Sequence, residues 1–486
     1  MMLIRRFLLG LLLVLVSPLS LALTSALTTT HKIERLSADL LPPNSHSHLL
    51  IRDLNTPPPA HSAHSDLFPP ASTLKLVTAL AAKLELGDTF RYQTTLSQIG
   101  NDRVVTFSGD PTLTTADLAA LFTYAGAPTH LQGDIWLDDS AFNGYEHAVG
   151  LPWDILGVCY SAPSSVITLD HNCFPASIYT QDDGTTRVYV PEQYPVTVTT
   201  QTTAISEREK KVTPCDLDLH TDPHNRYQLS GCLVNRAKPL PLNFAITNTR
   251  LYAQQRLRSE LKRLGITVAG EIKIGSPTSS HSAKASRSAT HLATHQSAPL
   301  PQLLDTMLKK SDNLIADNLT KTLGAHFYLQ AGNFINGTAA IKQIIQTQTG
   351  IDLQQAQLAD GSGLSRNNRF LAQDMAAILR YLYQHDDTLH LIELLPVAGE
   401  SGTLHYRPSM NQAPIQGQII AKSGSLYGSY NMAGYGLDKQ GKPRTLFVQF
   451  VSDYYAQEMD VPKRETALFQ FETQFYQRVI QRAQQP

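Results

Sequence analysis

Between Phe90 and about Ile274 the chain is written in short β-like runs separated by Gly, Asp, Asn and Pro, while the segments on either side carry helical periodicity. The β-textured runs include Arg103–Phe107, Gly133–Leu137, Ser165–Leu169, Ala176–Tyr179, Thr186–Tyr189 and Val196–Thr200, with one helix expected over Ile246–Leu264 and a short one capped by Thr114 or Thr115. Before them, Ser47–Asp53 reads as a strand and Leu76–Leu86 as a helix stopped by Gly87. After them, Ser276–Thr290 lacks periodicity and reads as a surface loop. Leu303, Leu304, Met307 and Leu308 then share one helical face, and Leu314, Ile315, Leu319 and Leu323 another. Further helices are expected at Thr338–Thr349, Ala372–Gln384 and Lys463–Arg482. The apolar runs Gly417–Ala421, Tyr430–Leu437 and Thr445–Ser452 suit an antiparallel sheet covered by helices. Trp136 and Trp153 are expected in the core.

At 486 residues the chain is long enough for two or three domains, and a net charge of −1 argues against a nucleic-acid surface. Arg5 and Arg6 precede the apolar run Phe7–Val16, followed by small residues to Ala22 and Ala26, the pattern of a cleaved export signal over residues 1–26 rather than a membrane anchor. Four cysteines agree with export and allow three pairings. The local pairs Cys159–Cys173 and Cys215–Cys232 are expected, since their short loops fit local hairpins. No C-x-x-C or H-E-x-x-H occurs, and His61-x-x-His64 lies in a Pro/Ser-rich loop, so no metal site is assigned. The apolar face Leu468, Phe471, Phe475 and Val479 is expected to pack on the sheet rather than lie on a membrane, because its polar face is not strongly basic.

The chemistry-bearing stretch is Phe68-Pro-Pro-Ala-Ser-Thr-Leu-Lys-Leu76. At a helix start, Ser72 and Lys75 share one face. A serine needs an adjacent base to be a nucleophile, and a lysine whose pKa is lowered by burial and nearby cations supplies one. Alone, S-x-x-K is weak evidence, more often a helix start with a solvated lysine. Two further elements change its weight: Ser311-Asp-Asn313 between two helices, and Lys422-Ser-Gly-Ser425 at a strand end. S-x-x-K, S-x-N and K-[ST]-G in that order form the signature of penicillin-binding proteins and serine β-lactamases.

Beyond the three motifs, the chain resembles the class C low-molecular-mass penicillin-binding proteins, D-Ala-D-Ala carboxypeptidase/endopeptidases of peptidase family S13. The resemblance covers nearly all of the chain after the signal. It rests on FPPASTLKL, FSGDPTLT, GLPWD…CYSAP…LDHNCF, LKKSDNLIADNL, DGSGLSR, LPVAGESGTL and AKSGSLYGSYNMAGY. The long interval from Ser72 to Ser311 separates it from the β-lactamases, and the E-x-x-L-N stretch of class A β-lactamases is absent from the sequence after Asn313.

The resemblance implies an α/β (α+β) fold: a transpeptidase-like core with an antiparallel sheet between helices, made from residues 27–87 and 266–486. Residues 88–265 would form inserted mainly-β domains, a unit of about 106–180 nested within the other. It further implies that Ser72 attacks the penultimate D-Ala carbonyl, Lys75 takes the proton, Ser311 relays it to the leaving amine, and Asn313 holds the substrate amide and the Lys75 ammonium. Lys422 would depress the Lys75 pKa and, with Ser423, attract the substrate carboxylate. Backbone N–H groups of Ser72 and Ser425 would form the oxyanion hole, and Gly424 would let substrate lie along the strand. Two departures stand out: Ser423 replaces the usual threonine, and Tyr427 stands where relatives often have a glutamine that reads diaminopimelate. Asp170 and Arg366 match other residues of that pocket; otherwise Asp170 caps a turn and Arg366 pairs on the surface. The implied partners are peptidoglycan stem peptides and β-lactams, in the periplasm, with no cofactor and at most peripheral membrane contact. The rivals are a β-lactamase or esterase on the same core, and a non-catalytic wall-binding scaffold.

Overall fold

A computed structural model describes residues 40–42, 44–56, 66–277, 289–455 and 466–485. The export signal, the His61/His64 loop and most of the Ser276–Thr290 loop lie outside the described residues.

The core sheet has four antiparallel strands in the order His46–Asp53, Pro443–Ser452, Ser429–Leu437, Ile419–Leu426. Both ends of the chain therefore build it, and the edge strand carries Lys422, Ser423, Gly424 and Ser425. Alternation along Pro443–Ser452 sorts its side chains. Leu446, Val448 and Phe450 join a core with the helices Lys75–Leu86, Leu300–Lys309, Asn313–Tyr328, Phe334–Thr349 and Ala372–Gln384. Phe447 and Val451 face the C-terminal helix Ala467–Ala483, where Phe471, Phe475 and Val479 are buried against them. That apolar face is thus occupied by the sheet, as expected from its weakly basic opposite face.

Beneath the same helix lies a buried polar knot. Glu472 takes both guanidinium arms of Arg407 and the Ser409 hydroxyl at 2.6 Å, and Gln449 bridges it to Tyr476. Burial alone would lower the Arg407 pKa, but the Glu472 carboxylate reverses the sign and raises it. Glu472→Ala leaves that cation buried and unpaired, and is expected to lower unfolding stability by about 3–5 kcal/mol. Chemical denaturation of the two proteins checks this; a loss under 1 kcal/mol would mean that water reaches Arg407.

The insert contains several small sheets. Its five-stranded sheet runs Ile272–Ile274, Ile135–Asp138, Asp102–Thr106, Gln93–Ile99, Thr290–Gln296. Thr290–Gln296 pairs antiparallel with Gln93–Ile99, and the helix Leu300–Lys309 follows it. Between Asp138 and Ile272 lie the strands Cys173–Thr180, Thr186–Tyr189, Thr197–Thr200, Thr203–Ile205, Leu217–Thr221, Arg226–Val234, Leu240–Ala245 and Thr267–Val268. One apolar cluster joins inner and outer parts: Leu96, Val105 and Leu137 pack with Phe174, Tyr227, Phe244 and Tyr252. We propose that the insert is one unit built around this core. Both local disulfides are formed, with Cα separations of 5.5 Å for Cys159–Cys173 and 5.8 Å for Cys215–Cys232.

Two local expectations fail. Ser165–Leu169 is buried but not a strand, since side chains satisfy its backbone: Asn172 accepts from Leu169 N, Thr168 donates to Ser165 O, and Asn318 reaches Ser165 O. Trp153, expected in the core, is 83% exposed on a short turn, whereas Trp136 is half-buried under the Lys273 ammonium.

Candidate active site

Pro69 and Pro70 lead into a 3-10 turn, Ala71–Leu74, that runs directly into the helix Lys75–Leu86. Ala71 is buried with φ of +49°, a left-handed conformation costly for a side chain. Surrounding contacts hold it. Asn431 donates to Pro69 O at 2.7 Å, and Thr73 to Pro70 O at 2.7 Å. Two glycines close on the turn from opposite sides. A Cβ on Gly363 would lie 1.9 Å from Ala71 O, and one on Gly424 would lie 2.9 Å from Pro70 O and from the Ser72 and Thr73 nitrogens. The missing Cβ of Gly424 makes room for the turn that bears Ser72.

Ser72 is half-buried and Lys75 fully buried. The Lys75 ammonium donates to Ser72 Oγ at 3.0 Å, Asn313 Oδ1 at 2.6 Å and Ser362 O at 2.6 Å. Asn313 opens the helix Asn313–Tyr328 after the N-cap Asp312, and its amide nitrogen donates to Tyr160 O at 2.8 Å. Ser311 occupies the turn between two helices with φ of +59°, and its hydroxyl accepts from Lys422 Nζ at 2.9 Å. Lys422 is fully buried and also donates to Ser423 O at 2.8 Å, while Ser423 shares a hydrogen bond of 2.7 Å with Thr403. Two serine–lysine pairs therefore come together, each with its hydroxyl less buried than its amine.

Burial lowers the Lys75 pKa to about 8 against the raising pull of Asp317, Asp360 and Asp312. Lys422 was the expected cause of this shift, but the repulsion between the two ammonium groups falls on Lys422 itself. Its pKa drops well below the usual lysine range, through burial first and Lys75 second.

Ser425 is exposed at the strand end, and Tyr427 is 75% exposed just beyond it. The Arg366 guanidinium sits 5.9 Å from the Tyr427 ring centroid, and Tyr455 lies 5.2 Å away on another side. Asp170 is not part of that group. Its carboxylate accepts from Thr115 N at 2.8 Å and Tyr252 at 2.9 Å, with Arg256 at 3.7 Å, all within the insert, so it caps the short helix Thr115–Ala120. Its neighbour His171 is the residue that reaches the core, pairing with Asp312 at 2.9 Å. Burial would depress the His171 pKa, but Asp312 outweighs it and the pKa rises.

Motif reading missed Asp317, Asp360, Thr403 and the carbonyls of Tyr160 and Ser362. Asp317 had a usable signal, lying four residues after Asn313 on one helical face. The carbonyls had none, because any residue type can present one.

The D-Ala-D-Ala carboxypeptidase 3 (S13) family model matches residues 30–475, and the chain belongs to this family of serine peptidases. It is 36% identical over 418 residues to D-alanyl-D-alanine carboxypeptidase DacB of Haemophilus influenzae, covering 84% of this chain and 85% of that one. The crystal structure of penicillin binding protein 4 (dacB) from Haemophilus influenzae matches with a TM-score of 0.82 at 34% identity, over 92% of this chain and 99% of that one. A second structure of that protein, complexed with a β-lactam, matches with a TM-score of 0.78 at 34% identity and the same coverage. The transpeptidase-like fold implied by the motifs is thus the fold of the chain.

Proposed function

We propose that this chain is a serine-type D-Ala-D-Ala carboxypeptidase that works through a Ser72 acyl-enzyme, and that it also cleaves D-Ala–diaminopimelate cross-links in peptidoglycan. The observation that carries this is the 3.0 Å contact between Lys75 Nζ and Ser72 Oγ, on a lysine whose pKa burial brings to about 8. Ser72 Oγ attacks the penultimate D-Ala carbonyl while its proton passes to Lys75. Ser311, held by Lys422, relays that proton from Lys75 to the leaving D-Ala amine, and water then releases the acyl group. Ser423 and Lys422 receive the substrate carboxylate. The N–H groups of Ser72 and Ser425 hold the oxyanion, each such donor worth roughly 3 kcal/mol. Arg366 and Tyr427 line an altered diaminopimelate pocket without Asp170. Residues 1–26 direct export to the periplasm.

β-Lactams mimic the D-Ala-D-Ala terminus, so benzylpenicillin should acylate wild type and leave Ser72→Ala unmodified by intact-protein mass. A stable adduct on both proteins moves the nucleophile elsewhere, and rapid drug hydrolysis without an adduct returns the β-lactamase reading. Hydrolysis of a D-Ala–diaminopimelate dimer, followed by chromatography, tests the endopeptidase activity separately.

A further inference from the structure

Behind Lys75, away from Ser72, three segments meet. Asp317 stands one turn after Asn313, and its Oδ1 accepts from Gly361 N at 3.2 Å and Ser362 N at 2.9 Å. The carbonyl of that same Ser362 receives Lys75 Nζ at 2.6 Å. The turn has little room to relax. Thr78 donates to Gly361 O at 2.8 Å, and a Cβ on Gly361 would lie 1.8 Å from Thr320 Oγ1. Asp360, almost fully buried, accepts from Gly363 N, Ser365 N and the Asn368 amide. Asp317 has fewer donors and lines a cavity of about 10 Å³, room for about one water, with Asn313, Asp360, Glu146, His147 and Tyr160.

We propose that Asp317 is a positioning residue for Lys75: it holds the Gly361–Ser362 turn whose carbonyl orients the amine, and its charge governs how tightly that amine keeps its proton. Four other charged groups face Asp317. Lys75 comes from the nucleophile helix, Asp360 from the following loop, Lys321 from the next turn of its own helix, and Glu146 from the insert, with His147 beside it. Desolvation and then Asp360 raise the Asp317 pKa to about 8, where Lys75 also titrates, so the two groups exchange charge over one pH range. A carboxylate there favours the ammonium form of Lys75; removing it frees the amine at lower pH.

The proposal rests on Lys75 as the base, and the test separates the two. Asp317→Asn keeps an oxygen for the Gly361 and Ser362 N–H groups and removes only the charge. The rate of benzylpenicillin acylation is followed from pH 5 to 10. The acidic limb is expected to move down by about one pH unit, and the plateau to fall about three- to tenfold as the base weakens. The limiting adduct stoichiometry should not change. An unmoved limb with wild-type plateau overturns the role of Asp317 while leaving the Ser72 reading intact. An adduct absent from both proteins removes that reading instead. If Asp317→Asn does not fold, Asp317→Glu carries the test. It keeps the charge but displaces the turn, so the limb should stay and the plateau fall. A wild-type plateau in Asp317→Glu would overturn the positioning role.

Discussion

Lys75→Met should lower the rate of benzylpenicillin acylation about 10³-fold, the loss typical of removing a positioned general base. Methionine matches the lysine stem in length and fills the buried channel, so little packing is lost. What disappears is the amine that touches Ser72 Oγ, Asn313 Oδ1 and Ser362 O. The pH dependence identifies the role. Only the neutral amine accepts the serine proton, so the wild-type rate should climb about tenfold per pH unit below the Lys75 pKa of about 8 and level off above it. In the variant the residual rate should be flat between pH 6 and 9. Quenched-flow acylation with mass detection gives both numbers. A variant that keeps more than a tenth of the wild-type rate, or the same rising limb, would take the base role away from Lys75.

Gly363→Ala is expected to be nearly as damaging, although residue 363 takes no part in the chemistry. Its φ of +81° disfavours any side chain, and the new Cβ would fall 1.9 Å from Ala71 O in the strained turn before Ser72. The turn must move. Displacing a nucleophile by about 1 Å can cost roughly 100-fold in rate. Acylation should fall by about that factor, with a stability loss above about 1 kcal/mol from backbone strain. Gly87→Ala is the matched control. Its φ is +73°, but a Cβ there meets nothing within 4 Å, so it should lose about 1–2 kcal/mol of stability and keep the wild-type acylation rate. Equal acylation by Gly363→Ala and wild type would mean that Ser72 does not depend on this clasp.

Much of this architecture was legible because it is written locally. The helix Ala372–Gln384 and the strand Thr186–Tyr189 lie where periodicity placed them, and the two short disulfide loops close as their spacing suggested. Errors arose where long-range contacts override local pattern. Ser165–Leu169 has strand-like composition, yet Asn172 and Asn318 satisfy its backbone and no partner strand is needed. Thr290–Gln296 is polar and carries no strand pattern, and its first residue falls in the stretch that reads as loop, yet Gln93–Ile99 recruits it into a sheet. The contacts of Asp170 with Thr115, Tyr252 and Arg256 are likewise set by the fold, and no motif carries them.

The chemical inventory and its class are legible in residue order alone: Ser72, Lys75, Ser311, Asn313 and Lys422 follow one another, on element types that match an active-serine enzyme. Residue type carries that information, because hydroxyl, amine and amide groups are side-chain properties. What surrounds them is a property of the fold. It chose burial as the cause of the lowered Lys75 pKa, put Gly363 and Gly424 against the nucleophile turn, and set Asp317 behind the base. Desolvation, close approach and backbone hydrogen bonds depend on which segments meet, and segments hundreds of residues apart meet only when the chain folds.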